Sequence, residues 1–109
     1  MTSTGAYALL GLAITSEVAA TLALKASDGM TRLYPALLVV GGYAVAFYML
    51  ALTLRNLPVG FVYGVWSGLG VVGVALLGVV VFGETLSAVK LAGVALIVAG
   101  VVLLELGSA

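Results

Sequence analysis

The chain contains no cysteine and no histidine in its 109 residues. Disulfides, thiol chemistry and the usual zinc and haem ligand sets are therefore excluded. Charge is nearly as scarce. Four Lys/Arg and four Asp/Glu make up 7% of the chain and cancel to zero. A soluble domain carries about a quarter of its residues as charges. A chain this poor in charge cannot cover a water-facing surface, and it offers no basic patch to a nucleic acid. What is present instead is apolar: 64% of residues are hydrophobic, and mean hydropathy is +1.36. Lipid must clothe such a molecule.

The few charges also divide the chain. A helix rises about 1.5 Å per residue and a bilayer core is about 30 Å thick, so a span takes roughly 20 apolar residues. The first span is expected from Thr4 to Leu24, ending at Lys25. The second runs from Tyr34 to Leu54, after a polar loop holding Asp28 and Arg32. Arg55-Asn56-Leu57-Pro58 is a short turn, and Pro58 suits the first turn of a helix. The third span runs from Val59 to Phe82 and breaks at Gly83-Glu84-Thr85-Leu86-Ser87. The fourth runs from Ala88 to Leu106, with Lys90 near enough to its end to snorkel. The expected fold is all-α: one membrane domain of four transmembrane helices over residues 1–109, with no stretch left for a soluble domain. The first span lacks a basic leader and carries Glu17, which argues against a cleaved signal peptide.

Orientation is weakly specified. Lys25, Arg32 and Lys90 fall on one side of the membrane, and Arg55 with the terminal amine on the other. The positive-inside rule favours the first group in the cytoplasm by a narrow margin. Such a margin permits both orientations of one chain.

Glu17 is the informative residue. It lies about two-thirds of the way along the first span. An ionised carboxylate at such depth costs about 2.5–3.5 kcal/mol on insertion scales. Burial favours its neutral, protonated form. A group of this kind can exchange a proton for a cation. Helical spacing places Ala13, Ile14, Ala20 and Thr21 nearest to it. Only Ile14 among them is bulky, which leaves room for a cavity. The alternative is a structural hydrogen bond to another helix. No Lys, Arg or His lies at comparable depth to pair with it.

Aromatic residues give a second signal. Tyr63, Trp66, Ser67 and Gly70 share one face of the third span, and Tyr43, Phe47 and Leu50 share a face of the second. Aromatic faces attract organic cations, by about 2 kcal/mol when water is excluded. Ordinary packing or an interfacial belt is the alternative reading. Glycines give a third signal. Gly60, Gly64 and Gly68 recur every four residues, a spacing that lets helices approach closely in lipid. Gly68-Leu69-Gly70 is a place where the third helix could bend. Gly93 and Gly100 lie on one stripe of the fourth helix, as on a pairing face. Glu105 reaches toward the headgroups, and Glu84 could line a portal. Four short spans can hardly enclose a wet pathway alone, so self-association is expected. Two Glu17 side chains in one chamber would repel and titrate together.

Taken in order, these pieces resemble the small multidrug resistance family of bacterial proton-coupled exporters. The resemblance covers nearly the whole chain. It rests on Ser16-Glu17-Val18 with Lys25, on Asp28-Gly29-Met30-Thr31-Arg32-Leu33-Tyr34-Pro35, and on Leu57-Pro58-Val59-Gly60. Tyr63-Gly64-Val65-Trp66-Ser67-Gly68-Leu69-Gly70, Phe82-Gly83-Glu84 and the Gly93/Gly100 stripe complete it.

The resemblance implies that Glu17 binds either protons or cationic substrate. It implies that Tyr63, Trp66, Tyr43 and Phe47 line the substrate chamber, with Ile14, Thr21 and Ser67 beside it. Gly68 and Gly70 would form the bend of the third helix, and Gly93 and Gly100 the dimer contact. It further implies an antiparallel homodimer in the bacterial inner membrane, without enzymatic activity, cofactor or metal. Ala20 and Trp66-Ser67-Gly68 resemble the branch that exports aromatic and quaternary ammonium cations. The guanidinium-exporting branch has Trp three residues after the glutamate and Trp-Thr-Gly on the third helix. Two departures stand out: Ala46, where relatives carry serine, and Glu105, usually neutral. A guanidinium exporter, a heterodimer with a paralogue and a non-transporting membrane subunit remain as alternatives.

Overall fold

The computed structural model describes residues 3–107. The terminal amine counted in the charge balance lies outside them. Four helices follow one another: α1 (Ser3–Ala26), α2 (Leu33–Thr53), α3 (Val59–Phe82) and α4 (Ala88–Gly107). Each is long and apolar enough to cross a membrane. A helix closes its own backbone hydrogen bonds, which is why such apolar segments adopt this form in lipid. The chain divides into two compact units, one of α1 and α2 ending at Leu57, the other of α3 and α4 starting at Pro58.

In the first unit, α1 takes Lys25 into its last turn. A cation there complements the negative end of the helix dipole. The turn that follows is organised by Ser27, which is fully buried. Its hydroxyl donates to the Leu24 carbonyl at 2.6 Å and accepts the Met30 N–H at 2.9 Å. Its carbonyl accepts the N–H groups of Thr31 and Arg32. Asp28, Gly29 and Met30 all adopt positive φ to make this reversal, at 51°, 70° and 68°. Gly29 does so without penalty; Met30 is held by its bond to Ser27, and Asp28 by its N–H on the Lys25 carbonyl and by the Thr31 hydroxyl on its own carbonyl.

α1 and α2 then pack as a hairpin at small residues. Ser16 donates its hydroxyl to the Gly42 carbonyl at 2.8 Å. An added Cβ on Gly42 would fall 2.8 Å from Ala20 Cβ. Along one side of this seam lies an open groove of about 310 Å³, floored by Ala19, Ala20, Gly41 and Gly42 and walled by Leu37, Leu38 and Val45. On α1's exposed side Thr15 returns its hydroxyl to the Gly11 carbonyl. That bond leaves no bare donor toward lipid.

In the second unit, Pro58 stands at the N-cap of α3, in extended conformation, one position before the first turn. α3 continues unbroken through Gly68 and Gly70. It ends on Gly83, whose φ of 66° lets the N–H groups of Gly83 and Glu84 both reach the Gly78 carbonyl. This is the glycine-dependent helix stop. The Glu84 carboxylate folds back onto Gly78, whose missing side chain leaves it room. Ser87 opens α4 by accepting the Lys90 N–H at 3.1 Å, and Lys90 Nζ donates to the Thr85 carbonyl at 2.9 Å. α3 receives α4 on glycine: Leu104 seats against Gly64, and Val101 and Ile97 against Gly68. α4 has no buried residue of its own.

Candidate functional site

The first unit gathers four of the expected residues around the carboxylate. Glu17 Oε1 accepts the Thr21 hydroxyl at 3.0 Å, one helical turn on. The same hydroxyl oxygen lies 2.6 Å from the Tyr43 phenol of α2. Tyr43 stands beside Phe47, with ring centroids 6.3 Å apart. Glu17 Oε2 is buried and has no hydrogen-bond partner among the described residues. Ile14 is buried on α1 with Ala13, which has no exposed surface.

An unpartnered buried carboxylate oxygen is costly unless a proton or a cation satisfies it. The structure therefore gives Glu17 one anchored oxygen and one buried without a partner among the described residues. The expected neighbours separate into two roles. Thr21 bonds the carboxylate, and Tyr43 bonds Thr21. Ala20, expected to leave room beside it, is 1% exposed and occupied against Gly42.

The second unit pairs the other aromatics. Tyr63 and Trp66 meet edge to face, with centroids 5.8 Å apart and planes at 81°. This arrangement matches the quadrupoles of the two rings. Tyr63 is 64% exposed, while Trp66 and Ser67 are half-buried. Gly70 is buried. Gly68 serves the contact with α4, and Gly93 and Gly100 stand open, with nothing that a Cβ would meet.

Two features escaped sequence reading. The Ser16–Gly42 bond and the Ala20–Gly42 contact were foreshadowed by Ser16 and Ala20 at spacing four opposite the Gly41-Gly42 pair. The seat of Glu84 on Gly78 was not, because a carboxylate reaching back across a helix stop leaves no periodic trace.

Four membrane-length helices, with a carboxylate oxygen buried in the α1–α2 unit, mark a small multi-pass membrane protein. The model of the family described as Small Multidrug Resistance protein matches residues 5–97. A multidrug transporter of Pseudomonas aeruginosa is 51% identical over 102 residues, covering 94% of this chain and 93% of its own. The quaternary ammonium compound-resistance protein QacE of Escherichia coli is 48% identical, covering 92% and 91%. The multidrug resistance protein EbrA of Bacillus licheniformis is also 48% identical, covering 92% and 95%. The chain belongs to the small multidrug resistance family, whose members are transporters, and it is a multi-pass protein of the bacterial inner membrane.

Proposed function

We propose that this chain is a proton-coupled antiporter that exports lipophilic aromatic or quaternary ammonium cations. Its two units act as one membrane domain, and two copies assemble as an antiparallel homodimer with one Glu17 from each. The observation that carries this reading is the buried, unpartnered Oε2 of Glu17. A neutral glutamic acid tolerates that setting. An ionised one calls for a counter-cation. A proton and a lipophilic cation therefore compete for the same atom. Competition provides the coupling, because each ligand shifts the equilibrium by its differential affinity.

The faces of Tyr63 and Trp66, with Tyr43 and Phe47, suit the flat or quaternary surface of such a cation. Ser67 is proposed to line the chamber beside Trp66, and Ile14 beside Glu17. Gly68 and Gly70 are proposed to give α3 its bend during the exchange of shapes. Relatives named for quaternary ammonium and multidrug resistance support this substrate class over guanidinium. Ala20 supports it as well: with Gly42 hard against it, the position has no space for the tryptophan of the guanidinium branch.

The test is transport by purified protein in proteoliposomes with an imposed pH gradient, using tetraphenylphosphonium as the cation. Wild type should drive the cation against its gradient. Glu17→Gln keeps the shape and removes the exchangeable charge, so it should abolish this. Uphill transport by a folded Glu17→Gln protein would show that the shared-carboxylate mechanism is wrong.

A further inference from the structure

The hydrogen bonds around Glu17 have a forced direction. An ionised carboxylate only accepts. Thr21 must therefore give its one hydroxyl proton to Oε1, over 3.0 Å. Its oxygen is then an acceptor toward Tyr43, so the phenol donates across the 2.6 Å contact. The chain runs one way, from Tyr43 through Thr21 to Oε1, and ends there. Oε2 receives no hydrogen bond from the described residues. When a proton arrives at Oε2, the donor chain to Oε1 keeps its direction but weakens, because an oxygen of the neutral acid accepts less strongly than one of the carboxylate. Hydrogen bonds to the charged form favour that form, opposite in sense to burial.

Few other groups act on this carboxylate from the packed pair. Tyr43 reaches Thr21 from α2, which carries no Asp, Glu, Lys or Arg between Leu33 and Thr53. Lys25 lies two turns further along α1, in its last turn. Ala46 of α2 is buried and offers no hydroxyl.

We propose that Thr21 and Tyr43 are positioning residues: a one-way donor chain that holds Glu17 Oε1, leaves Oε2 as the atom where proton and cation exchange, and sets the pH range of exchange. The proposal rests on the antiport reading above. It adds to that reading a role for Thr21 and Tyr43 on the carboxylate itself, separate from any contact of Tyr43 with the cation.

The experiment is a tetraphenylphosphonium titration of purified protein across a pH series, for wild type, Thr21→Val, Thr21→Ser, Tyr43→Phe and the Thr21→Val/Tyr43→Phe double variant. Wild-type affinity falls as pH drops, with a midpoint. Thr21→Val removes the donor and should move that midpoint upward by about one pH unit, the size expected for one charge-assisted hydrogen bond. The midpoint, not the affinity on the alkaline plateau, reads the donor chain, since the plateau also reports any direct contact with the cation. Thr21→Ser restores the hydroxyl and the wild-type midpoint. Tyr43→Phe should move the midpoint the same way by less, and add nothing to Thr21→Val, because its effect passes through Thr21. Unmoved midpoints with additive losses on the alkaline plateau overturn the proposal and make both residues cation wall. If Thr21→Val does not fold, Tyr43→Phe decides alone: an upward midpoint supports the chain, and an unmoved one overturns it. A wild-type titration flat in pH would instead remove the antiport reading itself, before any variant is compared.

Discussion

Ala20 and Gly42 meet so closely that no side chain fits between them: a Cβ built on Gly42 would lie 2.8 Å from Ala20 Cβ and 3.4 Å from its Cα. The same glycine accepts the Ser16 hydroxyl through its carbonyl. Ser16, Ala20 and Gly42 of this seam each stand one residue before a member of the Glu17–Thr21–Tyr43 chain. Any widening at Gly42 must therefore draw Tyr43 away from Thr21.

Gly42→Ala should accordingly destabilise the protein by about 1–3 kcal/mol, the range for overpacking a filled site. Ala20 presents backbone and a rigid methyl, so it cannot swing aside. The check is unfolding in detergent, with Gly41→Ala as the control, since Gly41 has open space where a Cβ would go. Equal stability of the two variants would mean that the α1–α2 seam is looser than described.

A second prediction concerns the aromatics of α3. Tyr63 and Trp66 hold each other edge to face. Trp66→Ala and Tyr63→Ala should each weaken binding of an aromatic cation by about 1–2 kcal/mol, on cation–π magnitudes. Because each ring orients the other, the double variant should lose less than the sum of the single losses. Unchanged affinity in both folded single variants would remove these rings from the substrate wall.

The four spans were legible because lipid imposes one rule on the whole chain: every apolar stretch of about 20 residues must satisfy its own backbone. Glu17 stood out for the same reason, as a carboxylate inside such a stretch. The i, i+3 spacing of Tyr63 and Trp66 correctly announced a shared face. The two roles of the glutamate oxygens were not legible. They depend on which rotamer brings Thr21 to Oε1, and on a phenol that α2 delivers from 22 residues away. Sequence placed Ala20 beside the carboxylate but could not say that Gly42 already fills its face. Gly68 was read as a place where the helix could bend; the side chains of Val101 and Ile97 also rest on it. A contact glycine and a bending glycine look identical in sequence, since both need only the absence of a Cβ.

Topology gives a third prediction. Lys25 ends α1 and Arg32 precedes α2, while Lys90 lies at the start of α4, tied to Thr85. Arg55 opposes these three from the turn after α2. The difference is small, and the positive-inside rule counts such loop charges. C-terminal reporter fusions should therefore report from both faces of the membrane. Adding two lysines beside Arg55 should reverse or equalise the bias. Signal from one face alone, unmoved by those lysines, would exclude the antiparallel dimer of identical chains.

The last prediction separates two classes of glycine. Gly64 and Gly68 of α3 receive Leu104, Val101 and Ile97 of α4, so each is already covered within the chain. Gly93 and Gly100 have nothing near them, and Leu96 and Leu103 on the same helix are 74% and 68% exposed. Small residues on an open helix face let a second backbone approach in lipid, where packing rather than the hydrophobic effect drives association. If the second copy docks there, a methyl at either position separates the two copies without disturbing one chain. Gly68→Ala should lower the unfolding stability of the single chain by about 1–2 kcal/mol, as for modest overpacking. Gly93→Ala and Gly100→Ala should leave that stability unchanged and weaken self-association by several-fold. Energy transfer between labelled copies in lipid measures the association, and unfolding at high dilution in detergent measures the single chain. Full association of the Gly93→Leu/Gly100→Leu variant would move the dimer contact to another face of the protein.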